Sequence, residues 1–498
     1  ICSGGTFTTT LTNSDPNATT IIPAGTTYTW SAPTVTGGIT GGLAGTSQST
    51  IFGTLTNPTN IPQTATYYVT PTSGTTGYCI GDSFTVTVTV NPTPVIFDRV
   101  DTICSATAFT LTPADSIPSA ATIVPTGTTY TWTVASNINV FGQSDQTIGQ
   151  SSISQTLTNL TNVAQDVIYT VIPRSGADGN CIGASFTFTI TVNPRPEIPK
   201  QTVAICSGDT FGIDLQNATP NSQTIVPLNT TYSWGVPTVT GDITGGVEES
   251  NKSSIFGTLT NPTNIPQTAT YIVTPTSGDS GNCVGLSFIF EVTVYPRPAI
   301  LDRKQTICSG SSFSIQPENF IPSDFTIVPM STTYTWTVST NTNVTGQSNQ
   351  TVDQTSIGQT LTNLTNVTQS VVYSVTPKSG DAGSCVGTAF AVIVTVNPSP
   401  VISNQTVTIC SNDSFDKVLT NGNPNVSTII PLNTTYTWAD PTVSGGVTGG
   451  LSGVSQSSVF GTLSNPTEQV QTAIYTVTAT SGYEGNCISA PFDVEVTV

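Results

Sequence analysis

Histidine is absent from the chain. That removes the commonest general base, the commonest metal ligand and every Ser-His-Asp or Cys-His arrangement. Basic residues are nearly absent too: ten Lys and Arg stand against 28 Asp and Glu, for a net charge of −18, and none precedes Arg99. No basic face exists to neutralise phosphates, which excludes nucleic acid as a partner. Charged residues make up 8% of the chain, against about 25% in an ordinary domain, so Thr, Ser, Asn and Gln must supply most of the polar surface. No apolar run approaches the ~20 residues needed to span a bilayer. The chain opens at Ile1 without a charged segment and apolar stretch of the secretory kind, so the reading is a mature, soluble segment. Hydrophobic residues are 36%, and with glycine the apolar share reaches about 45%, a globular rather than a disordered composition.

What is present is a repeat. The ten cysteines stand at Cys2, Cys79, Cys104, Cys181, Cys206, Cys283, Cys308, Cys385, Cys410 and Cys487, so the spacing alternates 77 and 25 and the period is 102. Trp30, Trp132, Trp234, Trp336 and Trp438 keep the same period, as do Phe7 and Tyr67 with their counterparts. The expected domains are 1–92, 93–194, 195–296, 297–398 and 399–498, referred to below as copies 1 to 5. Five full periods exceed the chain by the lead-in of copy 1 and the linker after Val498, so both ends read as cut from a longer array. A second period of 204 runs inside the first. Copies 1, 3 and 5 carry Pro33-Thr-Val-Thr, Pro237-Thr-Val-Thr and Pro441-Thr-Val-Ser, where copies 2 and 4 carry Asn139-Val-Phe-Gly and Asn343-Val-Thr-Gly. That region is a candidate contact with a neighbouring domain or a partner.

Within a copy the signals are those of strands. Phe84-Thr-Val-Thr-Val-Thr-Val alternates for seven residues, and Thr27-Tyr-Thr-Trp and Ala65-Thr-Tyr-Tyr-Val-Thr are β-branched and aromatic. About seven short strands per ~100 residues predict an all-β tandem array of immunoglobulin-like antiparallel β-sandwiches, with the five tryptophans as core anchors. Two prolines in each connector, as in Asn91-Pro-Thr-Pro, favour an extended, semi-rigid joint. Five domains of about 40 Å predict a rod of roughly 200 Å.

The cysteines lie outside zinc or CxxC spacings and read as structural disulfides of an exported protein. Pairing each first cysteine with the second of its own copy is the expected connectivity: Cys2 with Cys79, Cys104 with Cys181, Cys206 with Cys283, Cys308 with Cys385 and Cys410 with Cys487. The alternative, Cys79 with Cys104 across a linker, is disfavoured because a ~35 Å strand separates them while a bridge needs Cα atoms within about 7 Å.

The frame Ile-Cys-Ser-Gly, Thr-Thr-Tyr-Thr-Trp at 26–30, Thr-Leu-Thr-Asn at 54–57, Tyr-Val-Thr-Pro-Thr-Ser-Gly at 68–74 and Val-Thr-Val-Asn-Pro at 88–92 resembles the PKD-like repeats of Bacteroidetes surface proteins. Such repeats occur in giant adhesins of the SprB type, which serve gliding motility and are exported by the type IX secretion system. The Trp-Asp-Phe-Gly-Asp-Gly signature of better-known PKD domains is absent, Trp30 being followed by Ser-Ala-Pro. The resemblance implies an extracellular, outer-membrane-attached filament whose partners are other repeats of the same chain, a substratum or polysaccharide, and the secretion and gliding machinery.

No enzyme, cofactor or metal is expected. Glu248 and Glu249 are adjacent carboxylates without counterparts in copy 1, and the Gly37-Gly-Ile-Thr-Gly-Gly stretch lacks the lysine of a phosphate loop. Oxygen ligands for calcium could come from Ser277-Gly-Asp-Ser-Gly-Asn and from Asp178, but copy 1 has no carboxylate there. An Asp-Ser/Thr-aliphatic acceptor for O-glycosylation occurs at Asp101-Thr-Ile and Asp115-Ser-Ile. The leading expectation is a non-enzymatic, disulfide-stabilised stalk. The alternative is a set of glycan-binding domains, each with its own weak site.

Overall fold

In the computed structural model, residues 1–498 are described except 16, 75, 76, 177, 178, 279, 280, 381, 483 and 484. Among the described residues every regular element is a strand, and the five copies repeat one sandwich. Copy 2 shows it completely: β1 Arg99–Cys104, β2 Thr107–Leu111, β3 Thr129–Val134, β4 Val140–Phe141, β5 Gln146–Gln150, β6 Ile153–Asn159, β7 Gln165–Arg174 and β8 Phe186–Asn193. One sheet runs β5-β3-β7-β8-β1 and the other β2-β6-β4.

All pairings are antiparallel except one. β1 lies parallel to β8, with Phe188 opposite Arg99 and Asn193 opposite Cys104. Copies 3, 4 and 5 share this parallel edge. A parallel neighbour at the sheet edge refines the all-antiparallel expectation and decides where the first cysteine of each copy lands.

The core follows from alternation. In β8, Phe186, Phe188, Ile190 and Val192 are buried and the threonines between them partly exposed. These pack with Trp132, Tyr169, Ile153 and Leu157 into one cluster, and each copy has its equivalent. The five tryptophans are 4 to 5% exposed. Each indole N–H donates to a backbone carbonyl, that of Ser144 at 3.1 Å in copy 2, so a large apolar ring is buried with its one polar atom satisfied.

The Thr-Leu-Thr-Asn motif ends in a buried amide knot. Asn159 Nδ2 donates to the carbonyls of Val163 (2.7 Å) and Val192 (2.8 Å), and Oδ1 accepts from the Thr161 amide (2.9 Å) and hydroxyl (2.8 Å). Its backbone N–H reaches Ser105 Oγ at 2.9 Å. The knot ties the end of β6 to the end of β8 and to the turn after β1, and it recurs at Asn57, Asn261 and Asn363. Truncating the side chain would leave these groups unpaired, at about 1–3 kcal/mol for each one buried.

The 204-residue period reaches the sheet edges and the core. In copies 1, 3 and 5, Thr34–Val35, Thr238–Val239 and Thr442–Val443 add to the larger sheet. All copies add to the smaller sheet as well, copies 2 and 4 through Val140–Phe141 and Val344–Thr345, copy 1 through Thr40–Gly41 and copies 3 and 5 through the bridges Thr244–Thr260 and Thr448–Ser464, so what alternates is the addition to the larger sheet. Inside, Tyr169 and Tyr373 bond Gln155 and Gln359 at 2.8 and 2.9 Å. In copies 1 and 5 glycine replaces that Gln, and the hydroxyls of Tyr67 and Tyr475 are buried without a partner.

Burial pushes Tyr130, Tyr334 and Tyr436 up to about 12 from the ordinary 10.0. The folded state therefore favours the neutral phenol. This stabilisation is complete below pH 10 and is lost as the pH rises through about 12. Tyrosinate absorbance and circular dichroism followed together should show these phenols ionising in step with loss of β structure; ionisation at the ordinary pH with the fold intact would contradict their burial.

Candidate functional site

The parallel edge carries the first cysteine of each copy away from the second. β1 ends at Cys104 beside Asn193, the last residue of β8, whereas Cys181 lies before β8 begins at Phe186. A strand of eight residues, about 26 Å, separates the two ends. The within-copy pairings 2–79, 104–181, 206–283, 308–385 and 410–487 are therefore wrong. Four disulfides join neighbouring copies instead: Cys2–Cys181, Cys104–Cys283, Cys206–Cys385 and Cys308–Cys487, with Cα atoms 5.5 to 5.7 Å apart. Cys79 and Cys410 are unpaired and exposed. The strand-length argument raised against Cys79–Cys104 applies equally within a copy once the first strand runs parallel to the last.

Each bridge crosses a packed junction. Cys283 is 1% exposed; its amide donates to Ser277 Oγ at 3.0 Å and its carbonyl accepts from the Ser277 amide, which ties Cys283 to the residue just past the strand Gln267–Thr276. Gly281, at φ +108, lies against the Asn193 side chain, where a Cβ would fall 2.6 Å from Nδ2. The linker prolines Pro194 and Pro196 are buried, and Arg195 Nε donates to the Val284 carbonyl at 2.7 Å. Gly285 faces the Pro196 carbonyl, and a Cβ there would stand 2.5 Å from it. At the next junction Arg297 reaches both sides: Nε to the Ser207 carbonyl at 2.9 Å, Nη1 to Val386 at 3.0 Å, and an ion pair to Asp209. The connector is thus stiff because it is packed, as well as because it is proline-rich.

The other singled-out residues do not converge. Glu249 pairs with Lys252 at 3.1 Å on one strand. Among the described residues no cluster of three His, Cys, Asp or Glu side chains could hold a metal; Asp178 and Asp279 lie outside the described residues. Thr102 and Ser116 are exposed. A recurrent surface feature that sequence reasoning missed is Phe52, Phe256 and Phe460, 44 to 49% exposed, each edge-on to the buried tryptophan of its copy with ring centres 5.8 to 6.2 Å apart. Grooves of about 730 and 710 Å³ adjoin the first and last of these pairs. Copies 2 and 4 have Ser154 and Gly358 in its place, so the 204-residue period was the available signal.

Overlapping bridges limit how far the chain can be drawn out. From Cys2 to Cys487 the shortest covalent route uses only the 25 residues from Cys181 to Cys206 and the 77 from Cys308 to Cys385. Fully stretched, that is about 370 Å, against about 1,750 Å for the unbridged backbone. Single-molecule pulling from the two ends should give the short contour under oxidising conditions and the long one with reductant; equal contours would show that the bridges do not form.

The PKD-like domain family matches residues 1–94, 101–196, 203–298, 305–400 and 407–498. Among curated proteins none matches. Similar solved structures include immunoglobulin domains 1–5 of Sidekick-1, at 11% identity over 100% of this chain and 96% of that one with a TM-score of 0.20. Mouse cadherin-23 EC22-24 is 13% identical over 60% of this chain and 96% of that one, TM-score 0.19. The insect immune protein hemolin is 13% identical over 81% and 99%, TM-score 0.18. The five family matches keep step with the cysteine period and take in nearly the whole sequence, and the chain belongs to the PKD-like domain family.

Proposed function

We propose that the chain is a non-enzymatic stalk segment of a long extracellular adhesin, in which bridged sandwiches hold a filament semi-rigid under tension. The observation that carries this reading is the disulfide at all four junctions, each linking two copies rather than closing one. A bridge confined to one domain protects that domain; a bridge between domains resists bending and separation. Closing a loop of 179 residues stabilises by about 5 kcal/mol on the loop-entropy account. Disulfides persist outside the reducing cytosol, which supports an exported location. Attachment to the outer membrane, export by the type IX system and a part in gliding motility follow from the resemblance to SprB-type adhesins and belong to the same proposal. Small-angle scattering of the oxidised chain should return a rod of roughly 200 Å. A compact particle would overturn the stalk reading.

The exposed phenylalanines of copies 1, 3 and 5 favour a second reading, weak carbohydrate contact at alternate copies, since aromatic faces beside shallow grooves suit apolar sugar faces. Attachment to immobilised polysaccharides should fall when Phe52, Phe256 and Phe460 are changed together to Ser, the residue of copy 2. Unchanged attachment, with the fold intact by circular dichroism, would leave only the stalk.

A further inference from the structure

A missing side chain marks out copies 1 and 5. In copy 2 the Gln155 carboxamide bridges two groups: Oε1 accepts from the Tyr169 hydroxyl at 2.8 Å, and Nε2 donates to the Ser144 carbonyl at 2.7 Å. That carbonyl also accepts from the Trp132 indole, at 3.1 Å. Copy 4 repeats the bridge through Gln359, Tyr373 and Ser348. In copies 1 and 5 both ends of the bridge remain but the carboxamide does not. Trp30 and Trp438 donate to the Leu43 and Leu451 carbonyls, each at 3.0 Å, while Gly53 and Gly461 stand in place of the glutamines. Tyr67 and Tyr475 are 0% exposed, and their hydroxyls are buried without a partner. Burial raises both phenols above the ordinary 10.0, so each hydroxyl keeps a proton to donate.

Each unsatisfied hydroxyl lies beneath glycines at the floor of a groove. A Cβ on Gly53 would fall 3.0 Å from the Tyr67 hydroxyl and one on Gly42 2.8 Å from it; for Tyr475 the distances are 2.9 Å from Gly461 and 3.0 Å from Gly450. Gly42 and Gly53 line the groove of about 730 Å³ beside Trp30, Leu43 and Phe52, and Gly461 lines that of about 710 Å³ beside Trp438, Leu451 and Phe460. Every lining residue of a groove belongs to one copy. Phe256, in a copy with neighbours on both sides, is 44% exposed, close to the 49% and 47% of Phe52 and Phe460. The site is therefore internal to a copy and owes nothing to the ends of the array. Copy 3 differs beside its tryptophan: Glu248-Glu249 replaces Ala44-Gly45 and Ser452-Gly453. A Cβ on Gly45 or Gly453 would stand 2.3 or 2.4 Å from the indole ring, so a side chain there crowds the site. The chain carries a net charge of −18, and Asp416 lines the copy 5 groove, which favours a neutral ligand over an anion.

We propose that copies 1 and 5 each bind a neutral 2-acetamido sugar, whose acetamido group takes the part that the Gln155 carboxamide plays in copy 2. The acetamido carbonyl accepts from the hydroxyl of Tyr67 or Tyr475, and its N–H donates to the carbonyl of Leu43 or Leu451. The pyranose ring lies against Phe52 or Phe460, an apolar face on an aromatic one. The acetyl group reaches the hydroxyl by displacing the turn at Gly41-Gly42 or Gly449-Gly450, where no side chain has to move. Satisfying a buried donor is what separates this ligand from other sugars: a plain hydroxyl at the same carbon is too short to span from the tyrosine to the leucine carbonyl. The proposal rests on the carbohydrate reading and adds to it the acetamido requirement and the restriction to copies 1 and 5.

The test measures retardation of two neutral β-1,4-linked tetrasaccharides on the immobilised 498-residue chain, one of N-acetylglucosamine and one of glucose, which differ only at the acetamido position. The acetamido tetramer should bind about tenfold more tightly, the equivalent of one or two net hydrogen bonds. Changing Tyr67→Phe and Tyr475→Phe together should abolish that preference while leaving the melting temperature unchanged or raised, because the lost hydroxyls have no partner in the free chain. Tyr271→Phe in copy 3 should leave the preference intact. Gly53→Gln with Gly461→Gln should rebuild the arrangement of copies 2 and 4 and shut out the acetamido tetramer. Equal retention of both tetramers by the unaltered chain would overturn this proposal and leave the carbohydrate reading standing, whereas no retention of either, with the fold intact by circular dichroism, would overturn both. A preference that survives the double Tyr→Phe change would also overturn it.

Discussion

The parallel pairing of the first strand with the last decides the rest of the molecule. In an up-and-down sandwich the two cysteines of a copy could meet. Running β1 alongside β8 in the same direction places Cys104 at the exit of its domain, while Cys181 stays at the entrance. A thiol at each exit and a thiol at each following entrance can then be satisfied only across a junction. The same pairing threads the lead-in through the entrance of its own domain, so that linker, first strand and bridge occupy one packed region.

That arrangement couples folding to assembly. Ile96, Ile198 and Ile300 in the lead-ins are buried in the cores of the domains they enter, so the segment between two domains is a structural part of the second. The glycines at the entrance loops follow from this crowding. Gly183, Gly285 and Gly387 face linker carbonyls at distances no Cβ could occupy. Repeat arrays are commonly treated as domains plus nearest-neighbour terms; here the neighbour term is covalent.

The fold was legible because its signals are local. Alternation in Phe84–Val90, the recurring tryptophan and the turn residues gave strands, core and repeat without any tertiary information. Burial of Trp132 and Tyr130 on one strand face follows directly from period-two spacing. Disulfide connectivity was not legible, because cysteine spacing is identical for pairing within a copy and pairing between copies. Choosing between them requires the direction of β1 relative to β8, a non-local property that no stretch of sequence encodes by itself. The exposed Phe52 series was hidden for a related reason: a strand residue next to glycine reads as core until the sheet edge shows which face is open.

The four overlapping loops also change what a cut does. Every peptide bond between Cys2 and Cys487 lies inside at least one disulfide-closed ring. A single protease nick anywhere in that span opens a ring without releasing a fragment, so the array tolerates one break as a woven cord tolerates one severed fibre.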